Sequence, residues 1–278
     1  MSQRPPAAIA ATLLALAAGT AVAQTQLERG RYLMGSIVAC GNCHTPQGPN
    51  GPLPGKELAG GLVFDEQPFT AVASNITPDK ETGIGNWTDA QIVTAIREGR
   101  RPDGSLIGPP MPIGQYRGIS DDDVAAIVAY LRSVPAVKNP VAKSVYRMPL
   151  PPAYGPPVTQ VAAVPTTDKV AYGRYLAGPL GHCIDCHSGP GPQGPDIDKQ
   201  LGAGGIHFKG PWGLSVASNI TPKGLTSYSD AALKTVITSG VRPDGSKLKP
   251  PMGVPYYARI NAGDLDALVA YLRSLPPK

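Results

Sequence analysis

Large aromatic side chains are scarce in this sequence: three Phe and two Trp in 278 residues, with all aromatics at 6% of the chain. Aromatics dominate the area that cores bury, so something other than aromatic side chains is expected to fill this one. Cysteine is limited to four residues, and none stands outside two short clusters. No basic run occurs. The 25 Lys and Arg face 20 acidic residues, for a net charge of +5 and a pI near 9.0, a poor electrostatic footprint for nucleic acid. There is no G-X-Y period, which excludes a collagen, and with 42% hydrophobic residues the chain is neither a solvated tail nor a coiled coil. Beyond residue 23 no apolar run approaches the roughly 20 residues of a bilayer span.

What is abundant is Gly and Pro, 33 and 32 residues. At 278 residues the chain lies between one large domain and two ordinary ones. The first 23 residues read as a secretory signal peptide. Arg4 gives a positive start, Ala7 to Val22 is apolar, and Ala21-Val22-Ala23 is a small-residue cleavage site. An N-terminal anchor is the rival reading, but the stretch is short for a span. Cleavage after Ala23 predicts a chain outside the cytoplasm, in the periplasm, with no membrane span and a charge of +4 by count.

The sequence repeats itself. Gly30-Arg31-Tyr32-Leu33 recurs as Gly173-Arg174-Tyr175-Leu176, and Cys40-Gly-Asn-Cys43-His44 as Cys183-Ile-Asp-Cys186-His187. Ala73 to Pro78 returns at Ala217 to Pro222, Arg101 to Ser105 at Arg242 to Ser246, and Pro109-Pro110-Met111 at Pro250-Pro251-Met252. Val128 to Ser133 returns at Val269 to Ser274. Matches in this order imply two globular modules in tandem, residues 24–136 and 168–278. Between them, 137–167 is rich in proline and reads as an extended, semi-rigid linker. Within each module the pattern is helical. Leu27 to Ala39 leads into the first cysteine cluster, Thr88 caps Asp89 to Glu98 with Gly99 as the stop, and Ser120 with Asp123 has capping-box spacing. Val124, Ile127, Val128 and Leu131 then share one stripe, as do Leu265, Leu268, Val269 and Leu272. No run of alternating strand residues stands out, so the expected class is all-α, each module wrapped around one bound group.

That group follows from the cysteines. All four lie in C-x-x-C-H, the attachment signature of c-type haem: two thiols add across the haem vinyls and the adjoining His faces the iron. A zinc site would need its two C-x-x-C pairs about 15–20 residues apart, and here a whole domain separates them. A thioredoxin-like pair would need a βαβ setting. Disulfides suit an exported chain but do not explain a His after each pair. Two covalent haem c groups are therefore expected, on Cys40 and Cys43 and on Cys183 and Cys186, with His44 and His187 as proximal iron ligands. A buried porphyrin in each module also supplies the missing apolar filler.

Met111 and Met252, in matching Pro-Pro-Met segments, are the candidate distal ligands. Met34 and Met148 read as pliable fillers, and His182 and His207, facing Ala39 and Val63 in the repeat, as ordinary histidines. Trp87 and Tyr228, each with an apolar face and one donor, and Arg101 and Arg242 are candidate contacts for the haem propionates. Asn75 and Asn219 fit either such a contact or a structural turn. His/Met ligation raises the reduction potential and closes the iron to substrate, the chemistry of an electron carrier with no catalytic residue.

These residues together resemble class I cytochrome c domains. Ser74 to Gly85 with Trp87, and the helix end Ala129 to Pro135, are similar to the cytochrome c subunits of bacterial periplasmic dehydrogenases for alcohols, gluconate and similar substrates. The resemblance implies a dehydrogenase as electron donor and a cytochrome, copper protein or terminal oxidase as acceptor. The chain departs from that type in having two haem motifs instead of three. The alternative is a dihaem enzyme, a peroxidase or a thiosulfate-oxidising cytochrome. The paired Met segments argue against the first. The second resembles proteins with a Cys ligand, and no Cys is left over here.

Overall fold

Thr25 opens the first helix. Its hydroxyl accepts from the Glu28 amide and the Glu28 carboxylate accepts from the Thr25 amide at 2.9 Å, a reciprocal cap that satisfies two donors lacking helical partners. The helix, α1, runs Gln26–Gly35, and α2 (Cys40–His44) is the C-x-x-C-H turn itself. Thr88 caps α3 (Asp89–Glu98), and Gly99, at φ 64°, ends it in the left-handed conformation that suits glycine. A single turn, α4 (Ile113–Tyr116), follows Met111. Ser120 then caps α5 (Asp121–Ser133) by accepting from the Asp123 amide. The second half repeats the order with two additions, a wider turn over Leu176–Leu180 and the single turn α8: α6 (Lys169–Tyr175), α7 (Cys183–His187), α8 (Ile197–Gln200), α9 (Asp230–Ser239), α10 (Val254–Tyr257) and α11 (Ala262–Ser274). This computed structural model describes residues 24–192, 194–210 and 212–278; the expected signal peptide, 1–23, lies outside the described residues.

The expected all-α class is wrong. The chain is mixed, 36% helix and 12% strand, because each half threads short hairpins between its helices. In the first half β1 (Gln47–Gly48) pairs with β2 (Gly51–Pro52), and β3 (Val63–Glu66) with β4 (Phe69–Val72), Val63 opposite Val72 and Glu66 opposite Phe69. In the second, β6 (Pro190–Gly191) pairs with β7 (Gly194–Pro195), and β8 (His207–Gly210) with β9 (Gly213–Val216), all antiparallel. Strands of two and four residues are too short for a period-two alternation to register in sequence. The Pro-rich segment 137–167 runs along the first half. Its β5 (Val145–Tyr146) adds a third strand beside β4, Asn139 donates to the Ala59 carbonyl at 2.9 Å, and Tyr154 donates to the Ile107 carbonyl at 2.8 Å.

The core of each half is a helix crossing. α1 packs across α5 and α6 across α11, burying Leu33, Ile37 and Ile127 in one and Leu176, Ala267 and Leu268 in the other. The repeated glycines sit at the crossings. A Cβ on Gly30 would lie 1.9 Å from the Ala126 carbonyl oxygen, and one on Gly173 1.9 Å from that of Ala267. Only glycine allows backbones this close.

The two halves dock reciprocally. The Tyr32 hydroxyl of α1 donates to Asp264 at 2.7 Å and accepts from the Asn261 amide at 3.2 Å, at the start of α11. Tyr175, its counterpart on α6, donates to Asp123 at 2.8 Å and accepts from the Ser120 amide at 3.0 Å, at the start of α5. Each half's first helix thus closes the N-terminus of the other half's last helix. Asp123 is also gripped by Arg29 through bonds of 2.7 and 3.0 Å, which is why it does not return to the Ser120 amide as capping-box spacing suggests. The same junction holds both C-x-x-C-H helices: Gln115 donates to Asp185 at 2.8 Å, and Asn42 to the Pro251 carbonyl at 3.3 Å.

The crossings make a direct stability test. Gly30→Ala or Gly173→Ala is expected to destabilise the holoprotein by about 3 kcal/mol or more, since backbone, not a flexible side chain, must move. Gly114→Ala, where a Cβ meets nothing within 4 Å, should be neutral or stabilising by up to about 1 kcal/mol. Denaturant melts of the three variants check this, and equal losses at all three would refute the close-approach account.

Candidate haem site

The short helix α2 presents Cys40 and His44 toward a cavity of about 260 Å³. Met111 reaches the same cavity from the loop before α4, Trp87 from just before α3, and Arg101 from just after it. With Asn75, which also lines it, six of the residues singled out from sequence in the first half are thereby brought together from separate segments of the chain. The rest of the lining is mostly apolar, with Ile84, Ile92, Ile127 and Leu131 among it and Ser74 and Thr82 as polar members. An apolar slot with a few polar groups at its rim is what a flat, largely hydrocarbon group with charged substituents requires. The residues fit haem.

The polar groups are set for it. His44 Nδ1 lies 2.7 Å from the Ser74 carbonyl oxygen. A carbonyl can only accept, so Nδ1 carries the proton and Nε2 keeps its lone pair for a metal. Burial lowers the His44 pKa against the opposing effect of that hydrogen bond, which keeps the imidazole neutral. His187 makes the same 2.7 Å contact with Ser218, and burial lowers its pKa likewise. Arg101 spends Nη1 on its own hairpin, on the Leu106 carbonyl at 2.9 Å, and Arg242 spends its Nη1 on the Lys247 carbonyl at 3.4 Å. Among the described residues, the Trp87 indole N–H and the Tyr228 hydroxyl donate to no protein acceptor. In the second half Cys183, Tyr228 and Met252 pack, partly buried, against the core as Cys40, Trp87 and Met111 do in the first.

The thiols are free, with no disulfide between them. Burial pushes Cys40 and Cys183 up to about 12 and Cys43 and Cys186 up to about 11. Redox-active or metal-binding cysteines have depressed pKa values, and among the described residues no group of three His, Cys, Asp or Glu could hold a metal ion. The zinc and thioredoxin readings have no support in this geometry.

Other site features were less visible in sequence. Asn75 is a turn residue: its carbonyl oxygen accepts from the Thr77 amide at 3.0 Å, and its amide donates to Thr82 and to the Val137 carbonyl. His182 is half-buried against Tyr116, ring to edge at 5.9 Å, and desolvation lowers its pKa to about 4; it packs the junction of the halves. Ser74, whose carbonyl fixes His44, lay inside the repeated Ala-Ser-Asn-Ile-Thr-Pro and was findable there. Val141, which lines the cavity from the Pro-rich segment, carries no local signal.

Residues 25–131 match the family model described as cytochrome c oxidase, cbb3-type, subunit III. The chain is similar to cytochromes c. It is 32% identical to the fructose dehydrogenase cytochrome subunit of Gluconobacter japonicus, covering 99% of this chain and 60% of that protein. It is 31% identical to the gluconate 2-dehydrogenase cytochrome c subunit of Pantoea cypripedii, covering 96% and 65%, and 29% identical to a diheme cytochrome c-type protein of Cereibacter sphaeroides, covering 85% and 82%. The chain thus spans somewhat under two thirds of the dehydrogenase subunits it resembles. The likeness to cytochromes c implies covalently bound haem c. Acid–acetone treatment, which removes haem held only by coordination, should leave the haem on the polypeptide. Quantitative extraction into the organic phase would contradict covalent attachment.

Proposed function

We propose that this chain is a dihaem electron carrier of the periplasm, taking electrons from a dehydrogenase and passing them to a cytochrome, copper protein or terminal oxidase. The observation that carries the reading is the meeting of Cys40, His44 and Met111 on one apolar cavity, with the same residue set at equivalent places in the second half. In this reading residues 24–136 and 168–278 are the two haem modules and 137–167 joins them. Cys40 and Cys43 hold one haem and Cys183 and Cys186 the other, and the bound haem supplies a one-electron iron couple. His44 and His187, each oriented by a backbone carbonyl, would hold the iron, with Met111 and Met252 as its second ligands. Trp87, Arg101, Tyr228 and Arg242 meet the propionates. The apolar lining keeps water from the iron and so limits the reorganisation that accompanies each change of charge.

Were each iron held by a His and a Met of the chain, no position would be left for peroxide or a sulfur anion, which favours a carrier over a peroxidase or thiosulfate-oxidising enzyme. The dehydrogenase partner is inferred from the names of the relatives. No helix of the described residues is long and apolar enough to cross a membrane. The docking of the halves supports internal relay, because the two C-x-x-C-H helices both border the junction, Asn42 bonded to one side of it and Asp185 to the other.

Mass spectrometry of the exported protein should give the chain from about Gln24 plus two haems. Met111→His should lower the potential of one haem and leave the other nearly unchanged, since imidazole favours ferric iron more than thioether does; Met252→His should do the same to the other haem. Unchanged potentials in both variants, or substantial peroxidase turnover by the purified protein, would overturn the assignment.

A further inference from the structure

The two hairpins that repeat between the halves differ in what covers them. In the first half, β5 lies along the outer edge of β4, with Val145 opposite Thr70 and Tyr146 opposite Phe69. The outward backbone groups are used: the Arg147 amide donates to the Pro68 carbonyl at 2.9 Å and the Val72 amide to the Ser144 hydroxyl at 3.0 Å. In the second half, β9 is the counterpart of β4, and among the described residues no strand pairs with its outer edge. Leu214 and Val216, the positions matching Thr70 and Val72, are 48% and 47% exposed. Among the described residues, the Lys249 ammonium donates to the Leu214 carbonyl on that edge at 3.2 Å.

Charge separates the two edges as well. The covered hairpin is acidic, with Asp65 and Glu66 on β3, and the strand that covers it is basic: Arg147 lies 3.8 Å from Asp65, and the segment 137–167 holds Lys138, Lys143 and Arg147 with no acid. The uncovered hairpin has the opposite sign. Lys209 stands where Asp65 does, Lys249 reaches the edge, and residues 203–217 contain no acid. The wider surfaces follow suit: 24–136 carries nine basic and twelve acidic residues, 168–278 twelve basic and eight acidic. Lysines alone would read as edge protection. Two large exposed apolar side chains on the same edge do the reverse.

We propose that the outer edge of β9 is a docking edge for an extended, acidic segment of a protein partner, which adds to it antiparallel as β5 adds to β4. Backbone hydrogen bonds to Leu214 and Val216 would provide the pairing, and carboxylates beside Lys209 and Lys249 the choice of partner. The edge adjoins the loop leading to Met252, so a partner seated there lies beside the second haem module. The identity of that partner as a redox protein rests on the electron-carrier reading; the edge itself does not.

The test uses the full holoprotein and two peptides. One has the sequence of Lys143–Leu150, and the other carries Lys143→Glu and Arg147→Glu. Binding is read by fluorescence anisotropy and by amide hydrogen exchange, not by electron transfer, so the docking edge and the carrier reading can fail separately. The acidic peptide should bind at least about tenfold tighter than the basic one and slow exchange at Leu214 and Val216. Leu214→Pro, which removes an outward N–H and is tolerated on an edge, should abolish binding, and Lys209→Glu, which leaves the backbone ladder intact, should reverse the peptide preference. No preference for the acidic peptide, protection elsewhere than β9, or sedimentation showing that β9 edges pair two copies of this chain would each overturn the proposal.

Discussion

Two close helix crossings hold this molecule in register. At Gly30 and Gly173 the first helix of each half touches the backbone of the last, and that contact fixes the direction in which each C-x-x-C-H turn leaves its helix. It also fixes where the last helix begins, and Tyr32 and Tyr175 each exploit this by closing the start of the other half's last helix. The reciprocal bonds end on Asp264 and Asp123, both buried, where a hydrogen bond to a charged group contributes about 1.5–3 kcal/mol. Glycine at the crossing, tyrosine two residues on and a helix cap on the opposite half form one connected constraint.

The candidate haem site is built on that frame by short, low-energy devices. A backbone carbonyl sets the tautomer of each histidine, a one-turn helix holds the end of each Met loop, and Arg132 and Arg273 tie the segment before α3 and α9 to the last helices. Arg132 bonds Asp89 at 2.9 Å and the Trp87 carbonyl, and Arg273 bonds Asp230 at 3.0 Å and the Tyr228 carbonyl. Trp87 and Tyr228 are thus held from behind, and Trp87 lines the cavity of the first half.

Much of this was legible in the sequence, for identifiable reasons. The internal repeat exposed Gly30, Tyr32, the C-x-x-C-H turns and the Pro-Pro-Met loops without reference to any structure, and Thr88, Ser120 and Gly99 marked helix ends through side-chain chemistry that acts locally. The hairpins were missed because Val63–Glu66 and His207–Gly210 are too short to show a period. The roles of Asp123 and Val141 were missed because each depends on a partner far along the chain, Arg29 and Tyr175 for one and the haem-side wall for the other. The repeat also concealed a difference: β4 is covered and β9 is not, and only the three-dimensional arrangement separates them.

The central claim is that both halves bind haem with both axial positions filled from the chain. Low-temperature electron paramagnetic resonance of the oxidised protein, integrated against protein concentration, tests it most directly. The account predicts two low-spin ferric signals of equal weight, one spin each per chain, and no high-spin component. A high-spin ferric signal, or low-spin intensity amounting to a single haem per chain, would contradict it.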